Sequence, residues 1–233
     1  GDLILSVVFD IVEELTLTSG IIISDASNYI NMKTNSTITG GSSSSYINGP
    51  LYKDLSSSSD FTFPIGKDGV YRPIGVVNPT NDALWFAEYT PSNATTDLGA
   101  GLVTVSSKDS WDLTASGYTG TEFAKIKLYW GTETNVSPDP ADHADLRVVY
   151  KDGAGVWQDL GNASYSGDVN SGWLVSQNQV EFSANEFTIA SATIANPLPV
   201  TLLDFAARVE NDNQVALSWK TTIEQNNDYF VVE

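Results

Sequence analysis

The sequence contains no cysteine, one histidine and one methionine among its 233 residues. Without cysteine the chain cannot form disulfides, zinc–thiolate sites or iron–sulfur clusters, and it cannot use a cysteine nucleophile. Basic residues are also scarce, because 11 Lys and Arg stand against 29 Asp and Glu, which gives a formal net charge of −18. A chain this negative is repelled by phosphate backbones, so we expect no nucleic-acid partner.

Long hydrophobic runs are absent as well. No apolar stretch approaches the ~20 residues that a helix needs to span a bilayer. The first residues, GDLILSVVFDIVEE, lack the basic start and the cleavage site of a signal peptide. We therefore expect no membrane insertion. Hydrophobic residues still make up 41% of the chain, which is enough for a true core.

Period-two alternation and short β-branched runs recur along the chain, for example in residues 3–9, 60–65, 84–89 and 123–130. Turn clusters such as GKDG, NPTND and SGDVNSG separate them. No window of 12 residues combines helical spacing of apolar residues with helix caps. The sequence therefore predicts an all-β protein.

The chain divides into three regions that differ in composition and in the length of their predicted strands. Residues 1–54 have short, Ser/Thr-rich strands and predict a β-rich N-terminal layer, either hairpin or solenoid-like. Residues 55–195 hold longer strands and five of the six tryptophans, which predicts a β-sandwich domain. Residues 196–233 begin with NPLPV, a stiff extended connector. The remainder predicts the first strands of a further β-module, over 200–210, 214–221 and 228–233.

Two apolar strand regions lack an obvious partner in the sequence. The C-terminal strands expose one apolar face, which a sandwich would cover with a second sheet. The N-terminal segment LILSVVF either pairs within its own sheet or is donated to a neighbouring molecule by strand addition. Under the second alternative, the inter-subunit contacts would come from Leu3, Leu5, Val7, Phe9, Phe205, Leu217 and Phe230.

Residues 196–233, NPLPVTLLDFAARVENDNQVALSWKTTIEQNNDYFVVE, resemble a recurrent segment of large secreted proteins of Bacteroidota that the type IX secretion system exports. In that family this pattern opens an immunoglobulin or fibronectin III-like module. The upstream segments LTLTSGIIIS, SYINGPLYK and FTFPIGKDGVYRPIGV look like the same proteins. The family's sorting domain is not found here, which indicates a fragment, a processed product or one piece of a longer chain.

The resemblance implies a secreted or cell-surface protein of the adhesin or filament type, and it implies no enzymatic reaction. Its partners would be other copies or modules of the same surface protein, with glycans or surfaces as further ligands. The alternative function is a carbohydrate-binding accessory module of a secreted polysaccharide-degrading enzyme.

The best metal candidate is the group Asp139, Asp142 and Asp145, because calcium needs several oxygen ligands from one loop. The spacing is not that of an EF-hand, so a solvated acidic loop is the competing interpretation. We expect no other cofactor. His143 is the only histidine available for acid–base chemistry, and no nucleophile motif accompanies it. We interpret it as an exposed loop residue and predict no catalytic residue.

Six tryptophans divide into two groups. Three of them alternate with other apolar residues in strongly apolar strands and predict core packing: Trp85, Trp130 and Trp219. The other three lie beside polar turns and form either a glycan-stacking platform or core and strand-end packing: Trp111, Trp157 and Trp173. The GKDG segment predicts a hairpin, which Arg72 would anchor by pairing with an acid such as Asp60 or Glu88.

Overall fold

The computed structural model describes residues 1–91, 97–183, 186–196, 198, 202–211 and 214–221. Nearly all of its regular structure is β-strand, so the all-β prediction is confirmed. Two short 3₁₀ segments, Thr132–Thr134 and Pro140–Asp145, are the only helical turns in this part of the chain. None of the described residues forms a helix long and apolar enough to cross a membrane.

The first third of the chain consists of short strands that stack in parallel as coils. Strand pairs β1–β4, β4–β7, β2–β5, β5–β8 and β3–β6 are all parallel. This is the solenoid alternative for residues 1–54. We call residues 1–20 coil 1, residues 21–41 coil 2 and residues 1–69 together the coils. The strands are β1 Leu3–Ile4, β2 Phe9–Ile11, β3 Glu14–Leu17, β4 Ile22–Ile23, β5 Ile30–Met32, β6 Thr37–Gly40, β7 Ile47–Asn48, β8 Leu51–Leu55, β9 Phe61–Phe63 and β10 Ile65–Lys67.

Stacking places equivalent residues of successive coils in columns. One column runs through Leu3, Ile22, Ile47 and Ile65. Because β-branched and aliphatic side chains pack well on a pleated surface, such columns stabilise parallel stacking. Lys53 closes the corner of coil 2 from inside, since its buried ammonium donates hydrogen bonds to the carbonyls of Lys33 at 2.7 Å and Ser36 at 2.8 Å.

Beyond the coils the chain turns antiparallel. The predicted hairpin at GKDG is confirmed, because β10 pairs antiparallel with the next strand. We call residues 70–191 the body. Its strands are β11 Val70–Tyr71, β12 Ile74–Val77, β13 Ala83–Thr90, β14 Thr104–Val105, β15 Ser110–Ser116, β16 Phe123–Gly131, β17 Leu146–Lys151, β18 Trp157–Asp159, β19 Ser164–Gly167, β20 Ser171–Val175, β21 Val180–Glu181 and β22 Glu186–Ser191.

Coils and body share sheets and one hydrophobic core. A nine-stranded sheet runs in the order β18-β17-β22-β15-β13-β8-β5-β2, with β14 beside β22. A six-stranded sheet runs β19-β20-β16-β12-β9, with β21 beside β16. The main core cluster contains Met32 and Ile47 from the coils together with Trp85 and Leu128 from the body. The predicted boundary between residues 54 and 55 therefore falls inside β8, and the division into domains stays a prediction.

The C-terminal segment forms an antiparallel hairpin of β23 Leu202–Asn211 and β24 Gln214–Thr221. These bounds match the strands predicted over 200–210 and 214–221. The third predicted strand, residues 228–233, lies outside the described residues. A two-stranded sheet has little stability alone. The assignment of this hairpin to a fibronectin III-like module stays a prediction.

Candidate binding surfaces

Coil 1 forms one open edge of the molecule. Its strands β1, β2 and β3 each pair on one side only, with β4, β5 and β6 of coil 2. In the sheet orders, β1 and β2 stand at the ends of their sheets. No described strand pairs with the outer side of coil 1. An edge strand carries unpaired backbone donors and acceptors, so it is a template for further pairing.

Coil 1 buries Leu5 and Leu17 but leaves other apolar residues uncovered. Leu3 is 55% exposed, whereas Ile47 in the same column is fully buried. Phe9 is 51% exposed, whereas Leu51 in its column is fully buried. Large exposed apolar side chains of the described chain concentrate in this coil, which holds six of the nine: Leu3, Ile4, Val7, Val8, Phe9 and Val12. Coil 1 thus presents an apolar surface, and its exposed residues lie in register with residues of the following coils.

Coil 1 is also acidic. It contains four carboxylates and no Lys or Arg. Asp10 is held by coil 2, through a hydrogen bond from the Asn31 amide at 2.9 Å and an ion pair with Lys33 at 3.2 Å. Two copies that met through coil 1 alone would therefore bring like charges together, which is unfavourable at low ionic strength.

The residues predicted to contact another subunit fall into three groups. Leu3, Val7 and Phe9 lie exposed on coil 1, whereas Leu5 is buried at 6% exposure. On the C-terminal hairpin, Leu217 is half-buried. The side chain of Phe205 and the whole of Phe230 lie outside the described part of the chain. Residues 3–4 and 9–11 do pair within their own chain through one side, and no strand among the described residues pairs with their second side.

A second surface feature is a groove with a volume of about 600 Å³ beside the six-stranded sheet. It lies where the turn Gly69–Tyr71 meets the ends of β16 and β20. Half-buried aromatic rings line it, contributed by Tyr71, Tyr129 and Trp173. We call it the aromatic groove. Strand alternation explains the outward rings, since Leu128 and Trp130 on either side of Tyr129 point into the core.

The rings of Tyr129 and Trp173 are neighbours across β16 and β20. The Lys127 ammonium lies over both of them, at 5.1 Å from the Tyr129 centroid and 4.2 Å from the Trp173 centroid. Such cation–π contacts hold the rings in place. Burial, followed by the nearby Tyr129, raises the pKa of Tyr71 to about 12, so its hydroxyl stays protonated and able to donate.

A buried ion pair supports the wall of the groove. Arg72 donates to Asp109 at 2.9 Å in the interior and to the more exposed Glu133 at 2.5 Å. Asp109 also accepts hydrogen bonds from Tyr89 at 2.9 Å and Thr134 at 2.7 Å. Burial opposes the charge of Arg72, but the two carboxylates outweigh burial and raise the guanidinium pKa. Burial also works to raise the pKa of Glu133, yet its hydrogen bonds and Arg72 leave that pKa lowered.

Arg72 thus anchors the chain as expected, but the predicted partners Asp60 and Glu88 were wrong. Its carboxylates lie 37 and 61 positions further along the chain. Two glycines make this arrangement possible. A Cβ at Gly131 would lie 2.4 Å from the Arg72 guanidinium, and one at Gly172 would lie 2.0 Å from the Trp130 ring. Both distances are below van der Waals contact, so only glycine fits.

Two of the three tryptophans predicted for glycan stacking cannot do it. Trp111 and Trp157 are fully buried. Trp111 packs in the second position of β15 and donates its indole N–H to the Arg72 carbonyl at 2.9 Å. Trp157 is covered in part by the Lys151 ammonium, 5.1 Å from the ring centroid. Of this group, Trp173 alone faces the aromatic groove.

The three aspartates proposed for calcium act separately. Asp139 accepts a hydrogen bond from the Ala141 amide at 2.9 Å, and Asp142 accepts one from the Ser137 hydroxyl. Asp145 accepts one from Thr193 at 2.8 Å. Across the described residues, no three His, Asp or Glu side chains are grouped as a metal site. Calcium binding stays a prediction that this geometry does not support.

His143 is fully buried, so the expectation of an exposed loop histidine was wrong. The 3₁₀ segment Pro140–Asp145 turns its ring inward, with its centroid 5.2 Å from that of Trp130. Its Nε2 lies 2.8 Å from the Ser137 carbonyl, and its Nδ1 has no partner in the described structure. The imidazole ring thus lies against the Ser137 carbonyl and the rings of Trp130 and Tyr165, and no serine hydroxyl of the described residues is hydrogen-bonded to it.

Comparisons of the chain with family models, with curated proteins and with solved structures find no match. The resemblance of residues 196–233 to type IX-exported proteins therefore stays a prediction. Sequence reasoning singled out coil 1 and Trp173 but missed Tyr71 and Glu133 as groove residues. Alternation on β16 could have placed Lys127 and Tyr129 on one face, but nothing in the sequence gives the register between β16 and β20.

Proposed function

We propose that this chain is a non-enzymatic structural or adhesive segment of a secreted cell-surface protein, which associates with further copies by β-strand addition at coil 1. The body is a β-sandwich in this proposal, and the C-terminal hairpin begins a fibronectin III-like module. The observation that supports association is the set of exposed apolar residues on coil 1. The residues that pair with Phe9 in the following strands, Ile30 and Leu51, are buried, and in the Leu3 column burial increases from the half-buried Ile22 to the fully buried Ile47.

The chemistry of coil 1 favours another β-strand as the occupant. An added strand would pair with the open backbone edge of coil 1 and cover Leu3 and Phe9, in the way that successive coils of the stack cover one another. Burying a large apolar side chain is worth roughly 1.5–3 kcal/mol relative to full exposure. Several half-exposed residues on one edge therefore supply enough free energy for a specific contact.

The second copy would use its C-terminal hairpin. Contact between two copies of coil 1 opposes carboxylate to carboxylate, whereas the strands of the C-terminal hairpin carry Arg208 and Lys220 beside Asp204 and Glu210 and so lack the one-signed charge of coil 1. Within the described residues, β23 and β24 of the C-terminal hairpin pair with each other and with no further strand, which leaves backbone edges for addition. Such a head-to-tail contact does not close on itself and generates a filament. Calcium is not required for this contact.

Sedimentation velocity over a range of concentrations tests the proposal. We expect the average mass of the unmodified protein to rise with concentration, and more so at high salt, because salt screens the repulsion between copies of charge −18. The double variant Leu3→Ser, Phe9→Ser should weaken association by at least about tenfold, or roughly 1.4 kcal/mol.

A matched control is Ile194→Ser, which removes a 50% exposed apolar side chain outside coil 1. This variant should associate like the unmodified protein. Strictly monomeric behaviour at every concentration and salt, or equal loss of association in both variants, would overturn the proposal.

A further inference from the structure

Association at coil 1 leaves the aromatic groove unexplained. We propose that this groove is a binding site for an uncharged polysaccharide, with a pyranose ring stacked on Trp173 and Tyr129. The site lies on the outward side of the six-stranded sheet and uses none of the residues of coil 1 or the C-terminal hairpin. It therefore goes beyond strand addition and stands or falls independently.

The rings supply an apolar platform. Trp173 and Tyr129 are adjacent across two paired strands, and both are half-buried, so part of each ring reaches the groove. The C–H face of a pyranose is apolar and weakly positive, and the face of an aromatic ring is negative. The two surfaces are therefore complementary. The cation–π contacts of Lys127 fix the rings before a ligand arrives, which reduces the ordering cost of binding.

Polar groups surround the platform at the places where sugar hydroxyls need partners. Glu133 offers carboxylate oxygens, and Arg72 holds this side chain in position. Asn170 and Ser171 also line the groove, are exposed, and provide donors and acceptors. The groove volume of about 600 Å³ lies within the range of roughly 300–1,000 Å³ that is usual for small-ligand sites.

Charge selects an uncharged sugar over an acidic one. Arg72 and Glu133 both line the groove, but the Arg72 guanidinium pairs with two carboxylates, Asp109 and Glu133, so the wall is net negative. The chain as a whole carries −18, and an anionic polysaccharide would be repelled. The Lys127 ammonium beside the platform is engaged with the two rings. Neither feature repels a neutral sugar, and its hydroxyls can donate hydrogen bonds to the Glu133 carboxylate.

The test is affinity electrophoresis of the Leu3→Ser, Phe9→Ser protein, so that self-association does not affect migration. The gels contain hydroxyethyl cellulose, glucomannan, xylan or polygalacturonate. At least one of the three uncharged polymers should retard the protein, and polygalacturonate should not. Trp173→Ala and Tyr129→Ala should each weaken the retardation more than tenfold while leaving the thermal midpoint of unfolding close to that of the parent.

Phe123→Ala is the matched control, because Phe123 is a 36% exposed aromatic on the outward side of the same strand and does not line the groove. This variant should bind like the parent. The proposal is overturned if no uncharged polymer retards the protein, if polygalacturonate alone does, or if Trp173→Ala binds as well as Phe123→Ala. None of these outcomes bears on association at coil 1, which is measured separately.

Discussion

The coils and the body use the same kind of strand but cover it in different ways. In the body, each inward residue is covered across the core, as Trp85 on β13 is by Phe182 at 4.4 Å between ring centroids. In the coils, an inward residue is covered by the next coil of the stack. A stack therefore leaves its outermost coil uncovered, and in this molecule that coil is coil 1. Under the proposed function, the body provides stability and coil 1 provides the contact surface.

The largest difference between the two regions should appear when a carboxylate is removed. Asp109 is completely buried in the body and accepts three strong hydrogen bonds, so Asp109→Ala leaves the Arg72 charge without its interior partner. We expect a loss of roughly 3–5 kcal/mol in the free energy of unfolding, measured by urea denaturation.

The coil counterpart is Asp10→Ala, which breaks an ion pair with Lys33 between largely exposed side chains. It should cost less than about 1 kcal/mol. Similar losses of unfolding free energy in the two variants would mean that a paired carboxylate contributes as much to stability in coil 1 as in the body.

A second comparison stays within one column. Ile47→Ala removes a fully buried side chain and should cost roughly 2–5 kcal/mol, because it leaves a cavity. Leu3→Ala acts on the same column at the uncovered end and should cost under about 1 kcal/mol in the monomer. Chemical denaturation at low protein concentration measures both. Equal losses would show that coil 1 is packed as tightly as the interior coils.

The smallest effect concerns crowded carboxylates in the body. Asp112 stands between Glu88 and Glu186 on neighbouring strands. Burial, then these two acids, raise its pKa above the ordinary 3.8. The folded state therefore binds this proton more tightly than the unfolded chain, and the destabilisation sets in as pH rises through the raised pKa.

Asp112→Asn should accordingly stabilise the protein at pH 7 by up to about 1 kcal/mol. The gain should vanish as pH falls below 3.8, where the wild-type side chain is protonated in both states. Glu13→Gln, at an exposed carboxylate of coil 1, is the comparison and should change stability little. Thermal melts from pH 3 to pH 8 measure both variants, and a gain for Asp112→Asn that persists at pH 3 would contradict the explanation.

Local patterns predicted much of the fold. Alternation gave strands such as 84–89, and GKDG gave the β10–β11 hairpin, because both features depend on residues close together in sequence. Burial of His143 escaped prediction, since polar residues surround it in the sequence, and for Trp111 the sequence left core packing and an exposed platform both open. A 3₁₀ turn directs the His143 ring inward and strand pairing buries Trp111, and both depend on contacts made far along the chain.

The same limit applies to the candidate sites. The apolar segment LILSVVF was visible in the sequence, and so was its unpartnered character. The aromatic groove was not, because Tyr71 and Trp173 are about a hundred positions apart and meet only through the pairing of β12 with β16 and of β16 with β20.

Site-directed disulfide formation tests the central claim, head-to-tail strand addition at coil 1, most directly. The chain has no cysteine of its own, so introduced thiols react without background. Ile4→Cys on coil 1 should form a mixed disulfide dimer with Ala207→Cys on the hairpin under mild oxidation, and form little with itself or with Ala154→Cys in an exposed turn of the body. Equal dimer with Ala154→Cys and Ala207→Cys, or none with Ala207→Cys, would contradict the claim.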